Sequence, residues 1–110
     1  MNINQDVAGF LTPFADETIA LTAGAVGLTA ANLTPSSTQT QRDLGKCRVV
    51  FITVEGNVRY TVTGTTPVGG TTGHLLSDGS SLTLANRQSM LNALFIKDTS
   101  NAKLQITYLR

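Results

Sequence analysis

The side chains that could support catalysis are few and scattered along the chain. A serine–histidine–aspartate arrangement could be assembled only from the single histidine, His74, with Asp78 and one of several serines. Asp78 is followed by Gly79, and this pair is typical of a tight turn, which explains the aspartate without a catalytic role. His74 stands at the end of a glycine-rich loop. The sequence therefore favours structural roles for both residues.

The chain also lacks the residues that metal binding, phosphate binding and glycoside hydrolysis require. With one cysteine and one histidine, the chain cannot supply a zinc cluster of Cys and His ligands. The segment Gly64–Gly73 has the glycine content of a phosphate-binding loop but not its Lys-Ser/Thr ending. Asp16, Glu17 and Glu55 are too peripheral to act as paired catalytic carboxylates. We therefore expect no cofactor, no metal and no enzymatic activity.

Composition predicts one β-rich domain. The 110 residues suit a single domain with its own hydrophobic core, and 41% of them are apolar. Threonine and glycine are abundant, which favours strands and turns over helices. The only cysteine, Cys47, begins an apolar strand between Lys46 and Arg48. We interpret it as a small buried hydrophobe rather than a reactive thiol, since strand neighbours point to the opposite face.

Charge and hydropathy make two kinds of partner improbable. The net charge is +1, and Arg42, Lys46 and Arg48 form only a loose basic cluster that Asp43 interrupts. Nucleic-acid binding normally requires a concentrated basic patch, so we expect no nucleic-acid partner. No apolar run approaches the roughly 18 residues of a membrane span, and no signal peptide is visible. We expect a protein made in a cytoplasm, without a membrane partner.

Alternating apolar residues predict a series of short strands. The run from Lys46 to Glu55 is apolar on both faces, and the run from Val58 to Thr63 on one face. The turn signal Gly56-Asn57 between them predicts a hairpin. Further strands are predicted at residues 18–22, 26–30, 74–76, 81–84, 94–97 and 103–108, with a polar loop at 32–43. Residues 86–93 have partial helical spacing, but they are few, and we expect a turn of 3₁₀ type there.

Strands separated by frequent turn signals predict an all-β fold. We expect a two-sheet antiparallel β-sandwich over residues 18–110, of Ig-like or jelly-roll topology, which the sequence does not separate. Residues 1–17 form an extended N-terminal arm in this prediction, and Pro13 is expected to break any regular element there. The arm carries Phe10, Leu11 and Phe14. These residues pack either on their own domain or on a neighbouring subunit, and both alternatives stay open.

The order of features from residue 26 resembles a known class of protein. The strand Val49–Glu55 is followed by Val58-Arg59-Tyr60, by a loop with Gly64 and Pro67, and by Thr72–Leu76. Together with the ending Leu104–Tyr108, this order resembles small β-sandwich proteins encoded among the structural genes of tailed bacteriophages and prophages. The most specific part is the Val-Arg-Tyr strand that leads into the Gly-x-x-Pro loop. Such proteins often carry Asp before that glycine, whereas Thr63 stands here.

The resemblance implies a structural role in a virion. It implies a head decoration (cement) protein on the capsid exterior, with the major capsid protein as partner and with self-association as a homotrimer or, second, a dimer. The alternative is a tail or fibre module that binds a receptor or glycan through residues 64–73. For the interface we predict Phe10, Leu11 and Phe14, and then Pro67 of the loop. Arg59 is a further candidate, for an acidic capsid residue, although a solvated strand position explains it more simply.

Overall fold

A computed structural model describes residues 11–33 and 47–110. In chain order these residues form eight strands and two short helices. Their bounds are β1 (Pro13–Leu21), β2 (Val26–Gly27), α1 (Ala30–Leu33), β3 (Val49–Glu55), β4 (Val58–Thr61), β5 (His74–Leu76), β6 (Ser81–Leu84), α2 (Arg87–Asn92), β7 (Leu94–Lys97) and β8 (Ala102–Leu109). The N-terminal residues of the predicted arm, including Phe10, and most of the predicted polar loop at 32–43 lie outside the described residues.

The strands form two four-stranded antiparallel sheets that pack face to face, which confirms the predicted β-sandwich. Sheet A has the order β1-β8-β3-β6, and sheet B has the order β2-β7-β4-β5. Eight strands in these two interleaved orders form a jelly roll rather than an Ig-like sandwich. The pairing of β1 with β8, near the two ends of the described chain, decides between the topologies.

The hairpin predicted between β3 and β4 does not form. β3 pairs with β8 and β6 in sheet A, whereas β4 pairs with β7 and β5 in sheet B. Gly56 and Asn57 instead make a corner that carries the chain from one sheet to the other. This corner packs against the connection from β7 to β8, which also passes from one sheet to the other. The Asp98 amide donates to the Asn57 carbonyl at 2.9 Å, and Gly56 lies against Asn101 and Ala102.

The core lies between the sheets and follows the predicted alternation. In β3 the residues Val50, Ile52 and Val54 are buried, and they face Tyr108, Ile106 and Leu104 of β8 in register. Sheet B adds Val58 and Phe95. Cys47 is also buried in this core, and burial raises the pKa of its thiol, which confirms its prediction as a buried hydrophobe.

β1 begins five residues earlier than predicted, at Pro13. A proline lacks the N–H that a ladder needs, but the first residue of an edge strand can dispense with it. Leu11 and Thr12 also belong to the domain, because Thr12 exchanges backbone hydrogen bonds of 2.7 and 3.0 Å with Arg110. Residues 11–17 of the predicted arm are therefore part of the sandwich.

The sheet edges carry features that discourage uncontrolled strand pairing. Three edge strands are short, with four residues in β6, three in β5 and two in β2. The fourth, β1, has nine residues, but it begins with Pro13 and turns the charged Glu17 towards the interior. Short edges, proline and inward charges are recognised means of preventing edge-to-edge aggregation. Contacts with other molecules are thus expected at faces and loops.

Two segments differ from their predictions because of local hydrogen bonding. Residues 87–92 form the helix α2 instead of a 3₁₀ turn, and the side chain of Asn86 caps it by accepting from the amides of Gln88 and Ser89. The strand predicted at 26–30 ends at Gly27. The Thr29 amide donates to the Tyr108 hydroxyl at 3.3 Å, and the Thr29 carbonyl accepts from the first turn of α1.

A hydrogen-bonded group inside the sandwich ties β1, β8 and the start of α1 together. The Tyr108 hydroxyl donates to one carboxylate oxygen of Glu17 at 2.5 Å, and the Thr29 hydroxyl donates to the other at 2.5 Å. Burial, followed by the hydrogen bond to Glu17, raises the pKa of Tyr108 to about 12. Tyr108 therefore stays protonated, and remains a donor, over the whole neutral and mildly alkaline range.

Replacing Tyr108 with phenylalanine is expected to lower the free energy of unfolding by about 1–3 kcal/mol, because Glu17 loses one of its two hydroxyl donors and the Thr29 amide loses its acceptor. The wild-type stability should also fall as the pH rises from 10 towards 12. In this window the unfolded tyrosine loses its proton, while the folded one, with its raised pKa, retains it. Urea unfolding of both proteins from pH 7 to 11.5 tests this. Equal slopes in the alkaline range would contradict the assignment.

Candidate functional site

The loop after β4 is the main irregular feature on the outside of sheet B. β4 and β5 are the only consecutive strands among those described that share a sheet, and residues 62–73 connect them. The loop does not project into solvent, because Pro67 is fully buried and Gly69 touches the backbone of Lys97 and Asp98. Ile96, on the face of β7 that points away from the core, is only 7% exposed. The loop therefore lies across the outer face of sheet B.

An ion pair beneath the loop fixes its position. Arg59 of β4 donates from Nε to Asp98 Oδ1 at 2.9 Å, and the same oxygen accepts from the Gly70 amide at 2.9 Å. A second guanidinium nitrogen of Arg59 donates to the Gly73 carbonyl at 3.1 Å. Arg59 and Asp98 thus hold the middle and the end of the loop against two strands. We call this arrangement the Arg59–Asp98 clamp.

Backbone turns within the loop complete its structure. Val68 and Thr72 exchange backbone hydrogen bonds of 3.0 and 2.9 Å, and the Thr61 hydroxyl donates to the Thr65 carbonyl. Gly73 has φ +111° and lies against the Tyr60 backbone, a conformation and a closeness that only glycine accepts easily. Chain segments that are fixed in this way bind partners at a lower entropic cost than mobile loops.

The fixed loop presents an apolar surface to solvent. The Val68 side chain is 50% exposed, and Leu75 on the neighbouring edge strand is 49% exposed. His74 lies between them in the chain, and its ring centroid is 5.3 Å from that of Tyr60, which stacks in turn on buried Phe95 at 6.0 Å. We define Val68 and Leu75 as the loop surface; His74 pairs with Tyr60 and lies on the opposite face of β5. An exposed apolar group on a rigid support is typical of a protein-binding surface.

Of the predicted interface residues, Pro67 and Arg59 have their contacts inside the chain. Pro67 is buried, and Arg59, whose side chain is 21% exposed, has its guanidinium engaged in the clamp. The predicted loop is therefore retained as a candidate, but Val68 and Leu75 replace these two residues as its exposed groups.

Leu11 and Phe14 also pack on their own domain. Leu11 is buried with Val49 and Leu109 on the outer side of sheet A. The Phe14 ring lies 6.3 Å from the Tyr108 ring, and the guanidinium of Arg110 lies 4.7 Å above it. Phe10 lies outside the described residues. Between the two alternatives for the arm, the structure places these two side chains within the chain's own fold.

Asp78 and Glu55, which were considered for catalysis, make hydrogen bonds or ion pairs within the fold. The carboxylate of Asp78 accepts from the Gly56 amide at 2.8 Å, and Gly79 has φ +83°, as the turn prediction requires. Glu55 receives a hydrogen bond from Gln105 at 2.8 Å and lies 3.7 Å from Lys103. Within residues 11–33 and 47–110, no group of three or more His, Cys, Asp or Glu side chains is placed to hold a metal ion.

The role of Asp98 could not be predicted from its own place in the sequence. This residue directly follows β7, and 39 positions separate it from Arg59. Only the pairing of β4 with β7 brings the two side chains together. The one sequence signal is an arginine on an otherwise uncharged strand face, which requires a partner if something covers that face.

The clamp gives the loop a predictable response to acid. The hydrogen bond from Arg59 holds the pKa of Asp98 below its ordinary value of 3.8. A depressed carboxyl pKa stabilises the folded state above the unfolded value, and this contribution is lost as the pH falls through the folded value. We therefore expect the Gly70 amide to stay protected from hydrogen exchange at pH 4 and to lose protection only in stronger acid.

Amide exchange measured by NMR between pH 2 and 6 tests this expectation, with Asp98→Asn as the variant. The variant should show weaker protection of Gly70 at pH 5, and this protection should no longer change with acid. The amide of Ile52 in the core serves as an internal control. A Gly70 amide that exchanges alike in both proteins would show that Asp98 does not hold the loop.

No helix within the described residues has the length and apolar character needed to cross a membrane. Comparison with models of protein families, with curated proteins and with solved structures finds no match to this chain.

Proposed function

We propose that the chain is a non-enzymatic structural protein of a bacteriophage virion, a decoration protein that binds the head shell from outside and stabilises it. The observation that carries this proposal is the loop surface, in which a rigid sandwich holds Val68 and Leu75 half exposed. The resemblance of the Val58–Tyr60 strand and its Gly64-x-x-Pro67 loop to phage structural proteins supports the same assignment. Jelly rolls occur in viral capsid proteins, although a fold alone does not determine a function.

The loop surface meets the physical requirements of a decoration protein. Such a protein gains affinity from many weak and identical contacts on a symmetric shell, so each contact can be small. The contact should need little ordering upon binding, which the Arg59–Asp98 clamp provides. The protein must also avoid edge-to-edge aggregation before it reaches the shell, and the short or guarded sheet edges favour this.

The proposed partners are the major capsid protein and further copies of this chain. Head shells offer threefold and quasi-threefold positions, so a homotrimer is the proposed assembly, with a dimer second. In this proposal the loop surface binds the shell, and the copies contact one another through other residues.

Separated heads and tails from purified particles of the phage that encodes this chain test the proposal. Quantitative mass spectrometry of both fractions is expected to find the protein in the heads, in many copies and in a fixed ratio to the major capsid protein. Recovery in the tail fraction alone would contradict a decoration role and favour the alternative, a tail or fibre module that binds a receptor. Absence from both fractions would contradict any virion role.

A further inference from the structure

The outer face of sheet A, on the side of the sandwich opposite the loop surface, forms a second feature. Strand register places outward-facing residues in rows across the sheet. One row is Asp16, Thr107, Phe51 and Thr83, and the next is Thr18, Gln105, Thr53 and Ser81. These two rows therefore carry mainly small hydroxyl side chains around one aromatic ring, Phe51, which packs at one side against Leu11, Val49 and Leu109.

These two rows line a shallow groove of about 310 Å³. Its walls and floor are formed by Asp16, Thr18, Phe51, Thr53, Gln105 and Thr107. This volume lies at the lower end of the range of small-molecule sites, which begins at about 300 Å³. A ligand of one or two ring-sized units would fill it, and the open groove leaves room for a longer chain along the sheet.

The polar groups of the groove are held in place by one another. Thr107 donates to Asp16 Oδ1 at 2.6 Å, and Thr18 donates to the amide oxygen of Gln105 at 2.5 Å. The amide nitrogen of Gln105 donates to Glu55 at 2.8 Å. Within the described residues, Asp16 Oδ2 and the Thr53 hydroxyl keep their hydrogen-bonding capacity for a ligand.

We propose that this groove binds a neutral carbohydrate. Phe51 is partly exposed in the middle of the groove, where its ring can contact the C–H face of a sugar ring. Around it, the carboxylate of Asp16 and the hydroxyl and amide groups can exchange hydrogen bonds with sugar hydroxyls. The groove lining contains no lysine or arginine, and its two charged residues, Asp16 and Glu17, are both acidic, so acidic sugars and phosphorylated ligands are disfavoured.

This inference does not depend on the decoration role. It is compatible with that role, because the outer faces of the two sheets point in opposite directions. A protein that binds a shell through the loop surface on sheet B leaves the groove on sheet A facing away from the shell. The groove could then retain the particle at glycan-coated surfaces.

NMR titration of the whole protein with the neutral probes maltohexaose, cellohexaose and chitohexaose, each to 10 mM, tests the proposal. Hyaluronan hexasaccharide serves as the acidic probe. With at least one neutral probe, we expect amide shifts confined to the groove residues of β1, β3 and β8, and we expect no binding of the acidic probe. No shifts with any neutral probe, shifts confined to the loop surface, or equal binding of hyaluronan would each overturn it.

Two variants and a matched control refine this test. Phe51→Ala should weaken the binding of the neutral probe about tenfold or more, because the contact between the sugar and the aromatic ring is lost. Asp16→Asn removes a negative charge from an exposed residue and turns one acceptor oxygen into a donor. It should weaken the rejection of hyaluronan, which keeps the proposal testable if Phe51→Ala folds poorly. Leu91→Ser, at an exposed position on α2, should leave binding unchanged. Unchanged binding by both groove variants would overturn the proposal.

Discussion

Replacing Gly69 with alanine is expected to lower the free energy of unfolding by about 1–3 kcal/mol through overpacking. A Cβ atom at this position would lie 2.5 Å from the Asp98 carbonyl oxygen and 2.8 Å from that of Lys97. Both neighbours are backbone atoms of β7 and its turn, and they cannot move aside without disturbing sheet B. The loop would have to lift, which would expose Pro67 and Ile96 and lengthen the bonds of the Arg59–Asp98 clamp.

Chemical unfolding measures the loss of stability, and exchange of the Gly70 amide shows whether the loop has moved. Gly24→Ala is the matched control, because its added Cβ meets no atom within 4 Å and its backbone is not in the left-handed region. The control should differ from the wild type by less than about 0.5 kcal/mol. If Gly69→Ala were as stable as the control, the close approach of the loop to β7 would be disproved.

The second large effect is expected on binding. Val68→Asp and Leu75→Asp should each reduce affinity for head shells at least about tenfold, and about 100-fold or more together, because a carboxylate would have to be desolvated against the shell. Both side chains are about half exposed in the free protein, so the fold should remain unchanged. The loss should therefore appear in binding without a loss of thermal stability.

Co-sedimentation with purified shells that lack the protein measures this effect. Leu91→Asp is the matched control, since Leu91 is 52% exposed, similar to Val68 and Leu75, but lies on α2. The control should bind like the wild type. If the control lost affinity while Val68→Asp did not, the shell would contact a different surface.

The sequence predicted the sandwich because strand alternation is a local signal. Val58 and Tyr60 face the core, and Val50, Ile52 and Val54 form a buried row, as their spacing indicated. The pairing of strands is not local. The turn signal Gly56-Asn57 predicts a hairpin, yet the same residues can form a corner between two sheets. The corner forms because β3 pairs with β8 in one sheet and β4 pairs with β7 in the other.

The sequence singles out the same loop that the structure fixes on sheet B, but it does not show the contacts of that loop. The sequence predicts the glycine-rich loop as a shaped connection, and two of its glycines, Gly69 and Gly73, mark its close approaches to the sheet. The sequence could not show that the loop folds back on sheet B, because this depends on the distant contact between Arg59 and Asp98. For the same reason Pro67 and Arg59 were expected at an interface, although their contacts lie within the chain.

A cryo-EM reconstruction of the virion is the most direct test of the central claim, that this jelly roll decorates a phage head through its loop surface. We expect density for the sandwich at regular positions over the head, with residues 64–73 and Leu75 towards the major capsid protein and the outer face of sheet A towards solvent. Density at the tail tip alone would contradict the decoration role. Density on the head with the loop surface directed away from the shell would contradict the assigned binding surface.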